Sequence, residues 1–227
     1  MTLKPPAWSH TALNDFENCP AQYLEVKVKK RFPFQPTKET EWGKVVHRHF
    51  EHYILRGTPL PAELVTHREF LDDFLAQPGE VAGEERIALD RNLKPCTYFG
   101  DPLVWWRGQV DARMRDKAAG FSHILDHKTG KQKSDLDQLK DFALYEFLTQ
   151  PEIHTVKVQF YWTQTKAATG TTFDRDLVRT HLRDLVPRLD RFAEAFHNNN
   201  FPPKQSGLCR GWCPVTDCSF WQPKRSN

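Results

Sequence analysis

Residues 107–131, RGQVDARMRDKAAGFSHILDHKTGK, constrain this chain more than any other stretch. They read as two β-strands joined by a turn, with Asp111 on the first and Asp126 and Lys128 near the end of the second. Strand side chains alternate faces, so Asp126 and Lys128, two apart, point to the same side. Two acids and a lysine gathered this way can hold a divalent cation over a phosphodiester and activate water. The same residues would also serve as surface charges on a polar hairpin, and spacing alone leaves both readings open.

Composition narrows the setting. A chain of 227 residues is one ordinary domain with room for a sizeable core. With 39% hydrophobic and 27% charged residues it is of the soluble globular type. Its apolar runs are too short to span a bilayer, and MTLKPPAWSH lacks the apolar core of a signal peptide. These features predict a cytoplasmic protein with no membrane partner. A net charge of +3 permits nucleic-acid binding without demanding it. The clusters KVKKR (27–31) and KTGKQK (128–133) put positive charge near both ends of the proposed site. Five cysteines in that compartment point to metal or chance rather than disulfides. Cys19 lies in the N-terminal helical region and Cys209, Cys213 and Cys218 cluster in the tail. Cys96 stands alone, as a small buried apolar residue would.

Periodicity supplies the flanking elements. Ser9 caps a short helix carrying Leu13 and Phe16, broken at Cys19-Pro20, and a second helical turn ends before the basic run. FPFQPT at 32–37 is a proline-containing loop. Residues 38–56 predict a helix with Trp42, Val46, Phe50, Tyr53 and Ile54 on one buried face. His47 sits at the edge of that face, ordinarily a satisfied boundary position, and Gly43 one turn earlier leaves room for something to approach. Residues 61–77 predict a helix opened by Pro61, with Leu64, Leu71, Phe74 and Leu75 inward, and stopped at Gln77-Pro78-Gly79. Strands are expected at 84–91, 103–115, 120–128 and 153–165, with a helix at 134–149 before the last. AATG at 167–170 reads as a turn. A helix over 175–198 follows, which Pro187 should bend or break in two. The tail from 201 to 227 has no period and needs something other than a large core to hold it. His49 and His52 rotate away from His47, and His123 and His127 alternate to the face opposite Asp126, which argues against their side chains as ligands.

The order is helix with His47, strand with Asp111, strand with Asp126 and Lys128, helix with Gln138. It resembles the PD-(D/E)XK nuclease superfamily, in the RecB-like branch that includes CRISPR-adaptation exonucleases and many phage nucleases. The residues that carry the resemblance are Gly43-Lys-Val-Val-His47, Gly108-Gln-Val-Asp111, Ile124-Leu-Asp126-His-Lys128-Thr-Gly130 and Gln138-Leu139. Ser9…Leu13…Phe16…Cys19-Pro20 and the terminal Cys209…Cys213-Pro…Cys218 also resemble that branch, so the match runs from residue 9 to about 221. Members of it often carry tyrosine four residues after the glutamine, where this chain has Phe142, more simply a core residue; Tyr145 lies one turn further on.

The resemblance implies an α/β fold of restriction-endonuclease-like core, a central mixed β-sheet flanked by helices, with the cysteine-rich tail packed on the N-terminal helix. It implies a single nuclease domain over 1–227: an N-terminal helical segment at 9–36, a catalytic core at 38–165, the long helix at 175–198 and the tail. The implied activity is metal-dependent hydrolysis of DNA, exonucleolytic rather than endonucleolytic, on single strands or free ends, in phage or bacterial DNA recombination, repair or processing. Mg²⁺ or Mn²⁺ would be held by His47, Asp111, Asp126 and the His127 backbone carbonyl, hard oxygen donors with one nitrogen. Lys128 as an ammonium ion cannot ligate; it would orient water or stabilise negative charge, with Gln138 positioning it or the phosphate. The alternative is a non-catalytic nucleic-acid-binding module that keeps the fold.

Cys19, Cys209, Cys213 and Cys218 number the four thiolates that a [4Fe–4S] cluster needs, and a structural zinc site would use the same four. Unliganded thiols in an aromatic tail are the third reading. The spacings are not those of zinc ribbons, and the resemblance favours iron–sulfur in a fastening role.

Overall fold

The computed structural model describes residues 4–33, 35–133 and 136–224 and divides the chain into two compact units, 36–183 and the pairing of 1–35 with 184–227.

In the larger unit, five strands lie in sequence order: β1 (Glu80–Asp90), β2 (Val104–Asp116), β3 (Phe121–Lys128), β4 (Thr155–Trp162) and β5 (Ala167–Asp174). Only β3 and β4 are parallel, so the sheet is mixed, and the parallel step is made by a helix crossing over between them. The helices of both units are numbered in chain order, the crossover helix being α5: α1 (His10–Asn18), α2 (Pro20–Tyr23), α3 (Lys38–Arg56), α4 (Arg68–Leu75), α5 (Asp137–Thr149) and α6 (Asp176–His197).

Helix α3 begins where the sequence places it, with Thr37 and Thr40 capping each other and Gly57 closing it at φ 64°. Val46, Phe50 and Ile54 are buried against Leu71 and Phe74 of α4 and Ala112, Met114, Leu125 and Tyr161 of the sheet. Each such side chain contributes about 1.5–3 kcal/mol by leaving water. Trp42, expected on that face, is 44% exposed, because the face turns out into solvent at the first turn of the helix. Helix α5 covers the other side of the sheet: alternate residues of β3 divide between them, His127 touching Phe50 of α3 while Lys128 bonds Gln138 of α5. The predicted start of α5 at Ser134 and Asp135 lies outside the described residues. Fully buried Glu146 on α5 accepts two hydrogen bonds from Arg115 and lies 3.6 Å from Arg113, which also pairs with Glu85, so two cations and two acids make a mutually neutralising set.

Two further expectations change. Residues 61–77 are not one helix; a turn and a 3-10 segment (Val65–His67) precede α4, and the apolar spacing of Leu64 belongs to that turn. Residues 167–170 are not a turn but the start of β5. This edge strand is mostly small and threonine side chains, half-buried at Ala167, Thr169 and Phe173 on one face and exposed on the other, so its hydrophobic alternation is weak; the turn lies just before it, where Lys166 adopts φ 53°. Pro187 does not break α6, which runs on to His197 with the proline inside it.

In the smaller unit, Ser9 accepts from the Ala12 N–H to cap α1, and the chain continues through α2 into a π-helical turn (Leu24–Val28). Phe16, Tyr23, Phe192, Phe196 and Phe201 form its aromatic core. The tail packs on the N-terminal helices, as expected: Lys204 donates to the Glu17 carbonyl, and Arg31 pairs with Asp217 at 2.7 Å.

Candidate active site

The larger unit brings the predicted residues together around one break in the sheet. Glu84, left-handed at φ 47°, lies between the paired Gly83–Ala112 and Glu85–Val110, directly opposite Asp111. The alternation of β2 changes sides there. Arg113 and Arg115 face α5, as their contacts with Glu146 show; yet Trp106, an odd number of residues away, also meets α5, against Tyr145. Asp111 therefore stands where the ribbon exchanges faces and can serve both. Its Oδ1 lies 3.2 Å from His47 Nδ1 on α3, and its Oδ2 accepts the His127 backbone N–H at 2.6 Å.

Asp126, Lys128 and Gln138 make the second half of the site. Lys128 Nζ lies 2.6 Å from Asp126 Oδ2 as an ion pair and donates to Gln138 Oε1 at 2.9 Å, while the Gln138 amide donates to Asp126 Oδ1 at 3.2 Å. Gln138 thus clamps the acid and the lysine together. Lys128 also stands over the Phe160 ring, 4.9 Å from its centroid, which fixes its aliphatic stem.

Electrostatics separate the two acids. Burial pushes Asp126 up to about 7, helped by the charge of Asp111, with Lys128 pulling the other way. Burial acts on Asp111 too, but the hydrogen bond from His47, the nearby imidazoles and the His127 N–H outweigh it and hold this carboxyl below its usual range. His47 is lifted above the ordinary imidazole range: burial works against this, and the bond to Asp111 with the charges of Asp111, Asp126 and Glu84 overcomes it. His127, fully enclosed, is lowered to about 4 by burial and is neutral at pH 7.

Alternation accounts for His127 only in part. Its ring does turn away from Asp126, but that is the side on which His47 lies. The ring sits 5.8 Å from the His47 ring, its Nδ1 is 3.8 Å from Asp111 Oδ2, and its Nε2 is buried with no hydrogen-bond partner. Candidate ligand atoms of His47, Asp111 and His127 all lie within 4.8 Å of one another. His123, by contrast, is tied to the Gln77 and Gln159 side chains and is structural. Phe142 is buried core.

Sequence reasoning missed Glu84. Its Oε1 is 3.9 Å from His47 Nδ1, its other oxygen accepts from Gln109, and burial followed by the Asp111 charge raises its pKa. The only sequence signal was a pair of acids after a glycine. Glu84 and Gln109 line a cleft of about 440 Å³ with His47, Lys44, Arg48 and Glu51. Gly43 lines the same cleft, and a Cβ there would sit 3.1 Å from Thr129 Oγ1, so what approaches this glycine is the segment just after Lys128.

The four tail and helix cysteines fall in the smaller unit. All are free and half-buried, and Cys19, Cys209 and Cys218 each act electrostatically on Cys213, whose thiol is raised chiefly by burial. The Lys204 N–H points to Cys19 Sγ at 3.4 Å and the Ser206 N–H to Cys209 Sγ at 3.5 Å. Cys96 is half-exposed rather than buried, since its loop lies on the rim of β1.

A mixed sheet between helices, with acid, acid, lysine and glutamine converging beside the His47–Asp111–His127 group, defines a nuclease-type α/β protein. The chain belongs to the PD-(D/E)XK nuclease superfamily, whose sequence model matches residues 7–218. Nucleases of this superfamily use divalent metals. Among solved structures, the fold is similar to that of a candidate exonuclease from Eubacterium rectale, at TM-score 0.52 and 12% identity, covering 91% of this chain and 86% of that one. A second neighbour is SSO0001, at TM-score 0.45 and 15% identity, covering 94% of this chain and 85% of that one. No curated protein matches the sequence. Among the described residues, no helix is long and apolar enough to cross a membrane.

Proposed function

We propose that this protein is a divalent-metal-dependent deoxyribonuclease acting exonucleolytically in phage or bacterial DNA recombination, repair or processing. The observation that carries the reading is the Gln138 clamp on Asp126 and Lys128 beside the His47–Asp111–His127 cluster. Two interacting buried carboxylates, with neutral His127 nearby, form a donor set that a hard cation would relieve of its repulsion, so the residues fit Mg²⁺ or Mn²⁺.

In this reading Asp111, Asp126, His47 and the His127 carbonyl hold the metal, with the His127 ring and Glu84 as further donors within reach. When bound, the ion supplies a nucleophilic water and charge neutralisation at the scissile phosphate. Asp111 sets the position of His127 through its N–H and orients the His47 ring. Lys128, kept aimed by Gln138 and Phe160, stabilises negative charge developing on the phosphate or orients the attacking water. Asp126 accepts from Gln138 only while its other oxygen faces Lys128, so both carboxylate oxygens have fixed directions.

For the cysteines we favour a [4Fe–4S] cluster held by Cys19, Cys209, Cys213 and Cys218. The tail spacings, three residues and then four between cysteines, are not the C-x-x-C of zinc ribbons. Backbone N–H groups aimed at two of the sulfurs would support thiolate charge. The cluster would fasten the tail to α1 and α2.

The test is incubation of 5′- and 3′-labelled DNA, single- and double-stranded, with Mn²⁺, Mg²⁺ or chelator. Stepwise loss from one end is expected of the wild type and not of Asp126→Ala. If both are equally inert on every substrate, the enzyme reading fails and a non-catalytic DNA-binding module takes its place.

A further inference from the structure

We propose that β1, β2 and the loop joining them carry a stacking platform for single-stranded nucleic acid, continuous with the metal site. The proposal rests on the nuclease reading above. Past the exchange of faces at Glu84 and Asp111, Arg86 pairs with Gln109 and Ala88 with Arg107. Gln109 lines the cleft that holds His47 and Glu84, so Arg107, two residues along the strand, and Arg86, its cross-strand neighbour, continue that side of the ribbon.

The loop returns two aromatic rings to these cations. Arg86 lies 5.1 Å from the Phe99 centroid and 5.9 Å from that of Tyr98; Arg107 lies 5.3 Å from Tyr98 and 6.0 Å from Phe99. The two rings meet edge to face at 4.7 Å. Phe99 is nevertheless 60% exposed, so the contact leaves much of this residue in water rather than closing a core.

A lone exposed phenylalanine needs no explanation. Two arginines, an exposed phenylalanine and a tyrosine beside a phosphodiester-cleaving site do. Bases stack on aromatic rings in a sequence-tolerant way, and guanidinium groups neutralise the backbone. Asp90 and Asp101 direct their carboxylates into their own loop, accepting backbone N–H groups of Asn92, Lys94 and Leu103, which leaves the two guanidinium groups to the aromatic rings. From Asp111 to Arg107 is about 13 Å by strand rise, room for a few nucleotides at roughly 3.4 Å each along a stacked strand. A strand gripped there would lead its end towards Asp111.

Fluorescence anisotropy of a labelled 20-nucleotide strand, and of the same sequence as duplex, tests this with the full chain in chelator. Tyr98→Ala/Phe99→Ala should weaken single-strand binding about tenfold or more, the scale of one lost base–aromatic stack, and duplex binding much less. Arg86→Gln, on an exposed strand position, should weaken both and reduce the salt dependence; it serves as the readout if the double variant does not fold. Unchanged single-strand affinity in the aromatic variant, or in Arg86→Gln where that stands in, overturns the proposal and leaves a protein as the patch's partner; equal loss on single strand and duplex in the aromatic variant overturns it too. Cleavage by the wild type is assayed in parallel. Selective loss of binding with no wild-type cleavage keeps the platform and rejects the nuclease; cleavage with unchanged variant binding does the reverse.

Discussion

Asp111 accepts the backbone N–H of His127 at 2.6 Å, and this one bond ties β2 to β3 beyond their last paired residues, Ala112 and Leu125. It sets the second strand so that Asp126 and Lys128 turn to Gln138 while the His127 ring turns to His47. One carboxylate thereby organises both halves of the site.

Metal binding should displace protons. Asp126 sits at about 7 without metal and His47 above its usual range, and both must be deprotonated to ligate. Protons therefore compete below neutrality, and affinity should rise with pH towards about 7, by up to tenfold per pH unit for each proton released. Calorimetric titration with Mn²⁺ in two buffers of different ionisation enthalpy reads the proton count. Equal affinity at pH 6 and pH 7.5 with no proton release would reject this assignment.

Gln138→Ala removes the clamp but no charge. Lys128 and Asp126 keep their ion pair and lose direction, so kcat should fall about 10–100-fold while metal affinity changes less. Gln138→Glu should not rescue it, since the new carboxylate can accept from Lys128 but cannot donate to Asp126. Steady-state kinetics at saturating metal decide; wild-type kcat in either variant contradicts the positioning role.

Gly43→Ala should perturb activity more than stability. The methyl meets Thr129 Oγ1 at 3.1 Å, pressing on the segment that follows Lys128. Improved helix propensity, roughly 1 kcal/mol, offsets part of the strain. Activity should drop several-fold with little change in melting temperature, and Thr129→Ala should restore it in the double variant. Additive losses would show that the two positions do not communicate.

The cluster assignment predicts a brown protein after anaerobic purification, with about four irons per chain and loss of colour in Cys213→Ser. A colourless preparation without iron rejects it, and metal analysis of that preparation tells zinc from empty thiols.

Much of this was legible in the sequence because burial imposes period. The hairpin over 107–131, the helix over 38–56 and the buried strand β4 each have a hydrophobic face, and His47, Asp111, Asp126, Lys128 and Gln138 could be placed on them. What had only a weak hydrophobic face was invisible: β5 lies at the exposed edge with threonines on both sides. The exchange of sides at Glu84 was also hidden, because a positive φ at a glutamate is imposed by its surroundings and not by its own preference. That hidden break is why alternation put the His127 side chain out of play and why Glu84 went unnoticed.

The most direct test is the rate of cleavage of end-labelled DNA against Mn²⁺ concentration, for wild type and Asp126→Asn. The amide keeps the shape of the site and loses the charge. Saturable, chelator-sensitive cleavage by the wild type, reduced at least about a hundredfold in Asp126→Asn, is the predicted result. Cleavage that survives chelator, or an Asp126→Asn variant as fast as the wild type, would contradict a metal site built on this acid.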